Sequence, residues 1–251
     1  MLTPKEIADA AIKVGNTKGK LTAMRAVLLG VFAGIFIALA GVAATFGNVY
    51  VGKLAGACIF PAGLIMVVIA GSELFTGNNL MFVALLNKKL PFSKLLKNWS
   101  LVFLGNFLGA ILVAILTVYG GTLDSVSESV ISVATTKVSL SFIEALFRGI
   151  LCNFLVCIAV WMSFAADTVH GKAIAIFFPV MLFVLCGFEH SVANMYYIPA
   201  GMLEAVKTGA TIDGLNIGTF LLNNLLPVTL GNIIGGAGMV GAGYWLIYKK
   251  K

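Results

Sequence analysis

GFEHSVANM, residues 187–195, decides how this chain is read. It sets an acid, an imidazole and an asparagine inside an otherwise apolar run, and it has an earlier counterpart, GSELFTGNN at 71–79. Gly71/Gly187, Glu73/Glu189 and Asn78/Asn194 keep a constant separation of 116 residues. A polar break at membrane depth survives only where it lines a cavity or is wrapped in protein, because lipid has no partner for the freed backbone N–H and C=O groups. Two such breaks at equivalent places point to a duplicated helical membrane protein with its site at the junction of the halves.

Composition agrees. The 251 residues are 60% hydrophobic and 11% charged, with a mean hydropathy of +1.02. A soluble domain carries about 25% charged residues, so a water-soluble globule is excluded. The 28 glycines suit helices that approach closely in a bilayer. A net charge of +7 is spread over the ends of apolar runs, where it reads as a topology signal and gives no patch for nucleic acid. Cys58, Cys152, Cys157 and Cys186 sit in apolar runs without metal-ligand spacing and read as small buried hydrophobes. No cofactor motif, metal cluster or nucleophile–base pair is present, so an enzyme is not expected.

Uncharged runs at 26–52, 54–72, 98–123, 149–166, 173–188 and 214–248 read as six transmembrane helices, the second and fifth broken at GSELFTGNN and GFEHSVANM. LGNFLGA (104–110) pairs with LGNIIGG (230–236), Asn98 with Asn224, and Ala26…Gly30 with Ala145…Gly149. The expected fold is therefore all-α, a 3+3 inverted repeat in one domain over 1–251. Residues 1–22 form a surface helix, with Thr3 as N-cap, Pro4 first and Glu6 as the capping-box partner; 23–251 form the six-span core. Lysines and arginines concentrate in the segments that face inward if the N-terminus is cytoplasmic, 13 of 17, which puts both termini inside. Segment 122–137 then lies outside as a short surface helix.

Ionisable residues within spans are functional candidates: Glu73, Glu144, Arg148, Glu189 and His190. Asn78 and Asn194 are placed to cap the half-helices after each break. Glu73 and Glu189 are read as acceptors for backbone N–H groups, and Glu144 with Arg148 as an i,i+4 ion pair. His190 stands apart, because its repeat mate is Leu74 and the scaffold alone does not require a polar side chain there. The residues point to a channel or transporter for a small solute with His190 at its centre.

VIAGSELFTG (68–77), GILCNFLVCIA (149–159) and FEHSVANMYYIP (188–199) resemble, in order, the signature segments of the formate/nitrite transporter family. The likeness covers the whole core, and within the family the chain looks most like the clostridial hydrosulfide channels. The resemblance implies an aquaporin-like homopentamer in the bacterial inner membrane, with one path per protomer for hydrosulfide, formate, nitrite and related weak-acid anions. It implies His190 as the central histidine, Thr76 and Asn153 as its polar neighbours, and Asn194 and Glu189 beside it. Apolar constrictions would fall at Leu64, Leu74 and Phe75 on the inner side and at Phe60, Val156 and Phe183 on the outer side. Lys137 would draw anions to the outer mouth. Two other readings compete: a neutral-solute channel of the aquaglyceroporin kind, although TGN and VAN replace paired Asn-Pro-Ala boxes, and a proton-coupled transporter using Glu73 and Glu189.

Overall fold

The computed structural model describes residues 1–250 and is helical throughout. In chain order the helices are α1 (Pro4–Lys18), α2 (Ala23–Tyr50), α3 (Lys53–Ala70), α4 (Phe75–Leu86), α5 (Phe92–Tyr119), α6 (Ser127–Val138), α7 (Phe142–Phe164), α8 (Val169–Leu185), α9 (Ser191–Thr208) and α10 (Ile217–Tyr248). Thr22 and Ser141 cap the starts of α2 and α7, their hydroxyls accepting from the N–H groups of Arg25 and Glu144. α10 winds locally as π-helix over Phe220–Leu225 and Ile234–Ala242.

Among the described residues five helices, α2, α3, α5, α7 and α10, are long and apolar enough to cross a membrane. This corrects the expected six. The run at 173–188 becomes α8, 17 residues long, which stops at the break before reaching the ~20 residues a span needs. The cause is local. Gly187 takes φ +69° and Gly71 takes φ +80°, a left-handed backbone that glycine adopts without a steric penalty, and each ends its helix there. An aquaporin-like meeting of two Asn-headed half-helices does not form either. Asn78 and Asn194 each turn to a glutamate and a second asparagine of their own half.

The long helices turn apolar side chains outward, among them Leu28, Phe32 and Leu39 on α2 and Leu104, Leu108, Leu112 and Leu116 on α5. Inside, α2 packs along α5 and α7 along α10 through small residues. A Cβ at Gly34 would lie 2.2 Å from the Asn106 carbonyl oxygen, so only glycine allows the approach that brings Asn106 to the first break. The apolar core contains Phe60, Leu64, Leu74, Phe75, Val156 and Phe183. α1 lies against α4, with Ile7, Ala8 and Ala11 buried in a second cluster.

Candidate functional site

Each break is held by two asparagines from the helix that follows it in its half. In the first, the Phe75 N–H donates to Asn106 Oδ1 at 2.9 Å, while Asn106 Nδ2 donates to the carbonyls of Gly30 (2.8 Å) and Glu73 (2.9 Å). In the second, the Ser191 N–H donates to Asn232 Oδ1 at 2.9 Å, and Asn232 Nδ2 donates to the carbonyls of Gly149 (2.8 Å) and Glu189 (3.0 Å). These are the backbone groups that lipid could not satisfy. The caps expected from Asn78 and Asn194 thus come from the LGN asparagines.

Asn78 and Asn194 serve the carboxylates instead. Asn78 Nδ2 donates to Glu73 Oε2 at 2.6 Å and to Asn98 Oδ1 at 2.9 Å; Asn194 Nδ2 donates to Glu189 Oε2 at 2.6 Å and to Asn224 Oδ1 at 2.7 Å. A lysine closes each cluster. Lys18, from the last turn of α1, lies 3.0 Å from Glu73 Oε1, and Lys137, from the last turn of α6, lies 2.8 Å from Glu189 Oε1. Glu73 and Glu189 therefore accept from side chains, where backbone donors were expected. Removing a carboxylate charge from water is costly unless it is paired and hydrogen-bonded, and both are.

His190 sits where the two breaks meet. Its Nδ1 accepts the Ala193 N–H at 3.1 Å, capping α9, and its Nε2 lies 2.8 Å from Thr76 Oγ1. An Nδ1 that accepts carries no proton, so the neutral ring bears its proton on Nε2 and donates it to Thr76. Thr76 is fixed in turn through its carbonyl, which accepts from Asn153 Nδ2 and Cys157 Sγ, both at 3.3 Å. Asn153 also donates to the Asn232 carbonyl at 2.6 Å, tying the first break to α10.

Three cavities surround this centre. One, of about 220 Å³, lies under α1 and is walled by Lys18, Leu64, Glu73, Leu74 and Asn78. A second, of about 340 Å³, lies under α6 and is walled by Phe60, Lys137, Phe183, Glu189, His190 and Asn194. Between them a small pocket is enclosed by Phe60, Leu64, Leu74, Val156, Phe183 and His190, sharing walls with both. Phe60 and Phe183 meet edge to face at 5.9 Å. Of the residues expected at constrictions, Phe75 alone lines none of the three. It packs edge-on against Phe103 and Trp99, at 5.0 and 6.0 Å. Lys137 is tied to Glu189, so it is not the free cation expected at the mouth.

Several residues of the site had no role, or a different one, in the reading of the sequence. Lys18 counted only as a topology signal, although Thr17-Lys18 and Thr136-Lys137 stand at matching places ahead of the Thr22 and Ser141 caps. Arg148 had been paired with Glu144, but Glu144 closes a capping box on Ser141 and Arg148 turns into the α6 cavity. Asn106 and Asn232 were visible as a repeated motif without a role.

Residues 5–246 match the formate/nitrite transporter family. The chain is 41% identical to the transporter YrhG of Bacillus subtilis over 99% of its own length and 94% of that protein. It is 37% identical to the formate channel FocA of Escherichia coli over 100% of its length and 96% of that protein. It superposes with a TM-score of 0.78 on a solved pentameric formate channel with formate bound, at 35% identity, covering 91% of this chain and 98% of the other. These formate channels overturn the expected likeness to hydrosulfide channels, and a formate channel replaces aquaporin as the structural reference. The chain belongs to the formate/nitrite transporter family and is a multi-pass membrane protein of small-anion transport, not an enzyme.

Proposed function

We propose that this protein is a homopentameric channel for small monovalent weak-acid anions, formate first among them, and that each protomer carries its own path past His190. The reading places it in a bacterial inner membrane with both termini cytoplasmic, so that the α1 cavity faces inward and the α6 cavity outward. The pentamer is carried over from the solved formate channel, which this chain matches over 91% of its length. One observation carries the rest: His190 walls the small pocket enclosed by Leu64, Leu74, Phe60, Val156 and Phe183, with its Nε2 on the Thr76 hydroxyl.

An anion that leaves water between apolar side chains loses many kcal/mol of hydration unless a polar group replaces it. The Nε2–H of His190 is the donor available at that point, and an arriving anion competes with Thr76 for it. Asn153 and Cys157 hold Thr76 in place, so the imidazole returns to the same partner when the anion leaves. Protonating Nδ1 would break the bond that caps α9. The ring is therefore read as a neutral donor that keeps its tautomer through a transport cycle.

The test is flux of formate, nitrite, hydrosulfide and chloride in proteoliposomes, for the parent and for His190→Phe. The parent should carry formate and nitrite well above chloride. His190→Phe should assemble and lose at least roughly tenfold in formate flux, since a hydrogen bond to a charged group is worth about 1.5–3 kcal/mol. Equal flux in a correctly assembled His190→Phe protein would remove the histidine from the path.

A further inference from the structure

We infer that Arg148 forms an anion-capture station in the α6 cavity, suited to small planar anions with two oxygens, and that the α1 side has no equivalent. The inference rests on the transport reading above and assigns its outer binding step. Arg148 lines the α6 cavity and is half-buried there. Among the described residues its guanidinium makes no hydrogen bond and no ion pair, whereas Lys137 in the same cavity is held by Glu189 at 2.8 Å. Glu144, one turn earlier on α7, is not in that cavity; its carboxylate receives the Ser141 N–H and hydroxyl.

The duplicated scaffold shows that this arginine is not needed to build the break. The Glu189 N–H donates to the Arg148 carbonyl at 3.3 Å, and the Glu73 N–H donates to the Leu29 carbonyl at 3.2 Å. Leu29 is thus the counterpart of Arg148, and the same backbone bond forms with an apolar side chain. The charge balance differs accordingly. Lys53, Lys137 and Arg148 face one carboxylate, Glu189, around the α6 cavity, while Lys18 faces Glu73 alone around the α1 cavity. A guanidinium presents its donors in a planar fork that matches a carboxylate or nitrite in two parallel bonds, a fit that an ammonium or a spherical anion cannot reproduce. Placed in a concave, partly dry mouth, such a cation raises the local anion concentration and the capture rate.

Two measurements test this on the full-length protein. In proteoliposomes sorted by orientation, Arg148→Leu should raise the external formate concentration for half-maximal uptake by roughly 3- to 10-fold, and saturating flux should fall far less. Efflux, which enters from the α1 side, should keep its half-saturation concentration. Arg148→Lys should restore chloride behaviour but only part of the formate affinity. Separately, in detergent, phenylglyoxal modification of Arg148 should be slowed by sodium formate or nitrite more than by sodium chloride at equal ionic strength, with Arg25 as internal control. Equal protection by all three salts, or an unchanged half-saturation concentration in Arg148→Leu, overturns the station. Protection by formate in a parent protein that carries no formate leaves the station standing and refutes the transport reading instead.

Discussion

Glu73 is bonded by Lys18 and Asn78, and Glu189 by Lys137 and Asn194; the residue that follows is a leucine in the first break and a histidine in the second. Bond for bond, the amides of Asn106 and Asn232, the Asn98 and Asn224 partners and the two terminal lysines occupy matching roles. What both breaks share holds unwound backbone in place. What only one break has, His190 against Leu74 and Arg148 against Leu29, is not required by that shared frame, and these are the two residues the proposals above rest on. Duplication thus marks which residues the frame repeats and which it does not.

The strongest attempt to break that division removes the amides that hold the breaks. Asn106→Ala leaves the Phe75 N–H and the Gly30 and Glu73 carbonyls short of a partner, and Asn232→Ala does the same to Ser191, Gly149 and Glu189. An unsatisfied buried group costs about 1–3 kcal/mol, so each variant should lose about 3 kcal/mol or more. Thermal unfolding in detergent should fall by similar amounts for the two. A large loss at one and none at the other would mean that the breaks are not held alike.

The lysines come next, and here the halves should differ in degree. The Lys137 side chain is 15% exposed against 25% for Lys18, and their carboxylate partners are 5% and 8% exposed. Removing one member of a buried pair costs about 3–5 kcal/mol, while exposed pairs contribute about 0–1 kcal/mol. Lys137→Ala should therefore destabilise by about 2–4 kcal/mol and Lys18→Ala by about 1–2 kcal/mol. Replacing both members of the pair, Lys137→Met with Glu189→Gln, leaves the net charge of the mouth unchanged and should leave the salt dependence of flux as in the parent; salt dependence should follow Arg148. A double variant whose flux no longer depends on salt would return Lys137 to the role of attractor.

The breaks themselves were legible in the sequence because glycine, acid and asparagine recur in fixed register, and His190 because it departs from that register. The rest was hidden by distance. Asn106 reaches a backbone N–H 31 residues away and Asn232 one 41 residues away, and no local pattern signals a cap supplied from another helix. Lys18 was masked by its neighbours, since a lysine near a membrane surface looks the same whether it orients the chain or pairs with a buried acid. The difference in span number lies at the second break, which the sequence did mark: the apolar run before it was counted as a span, whereas its helix, Val169–Leu185, is only 17 residues long and ends ahead of Gly187. Phe75 was assigned to a constriction from the family resemblance, yet in the short helix after the break its side chain turns to Phe103 and Trp99.

The smallest expected effect separates α1 from α6, the helices that deliver the two lysines. Thr3 donates to the Glu6 carboxylate through its N–H and its hydroxyl, both at 2.7 Å, and these bonds hold the Glu6 carboxyl below its ordinary value of 4.5. α6 begins after Val126 with no side-chain cap. A depressed folded-state value means that the Glu6 contribution is complete above the unfolded value near 4.5 and is lost as pH falls through the lower folded one. Hydrogen-exchange protection in the first turn of α1, corrected for intrinsic rates, should therefore decline as pH falls below 4.5. The first turn of α6 should show no such step. Glu6→Gln keeps an oxygen that can accept from Thr3 but does not titrate, so its protection should be weaker at neutral pH and flat in acid. A step of equal size in α6, or one that persists in Glu6→Gln, would show that the acid sensitivity does not come from the cap that α1 has and α6 lacks.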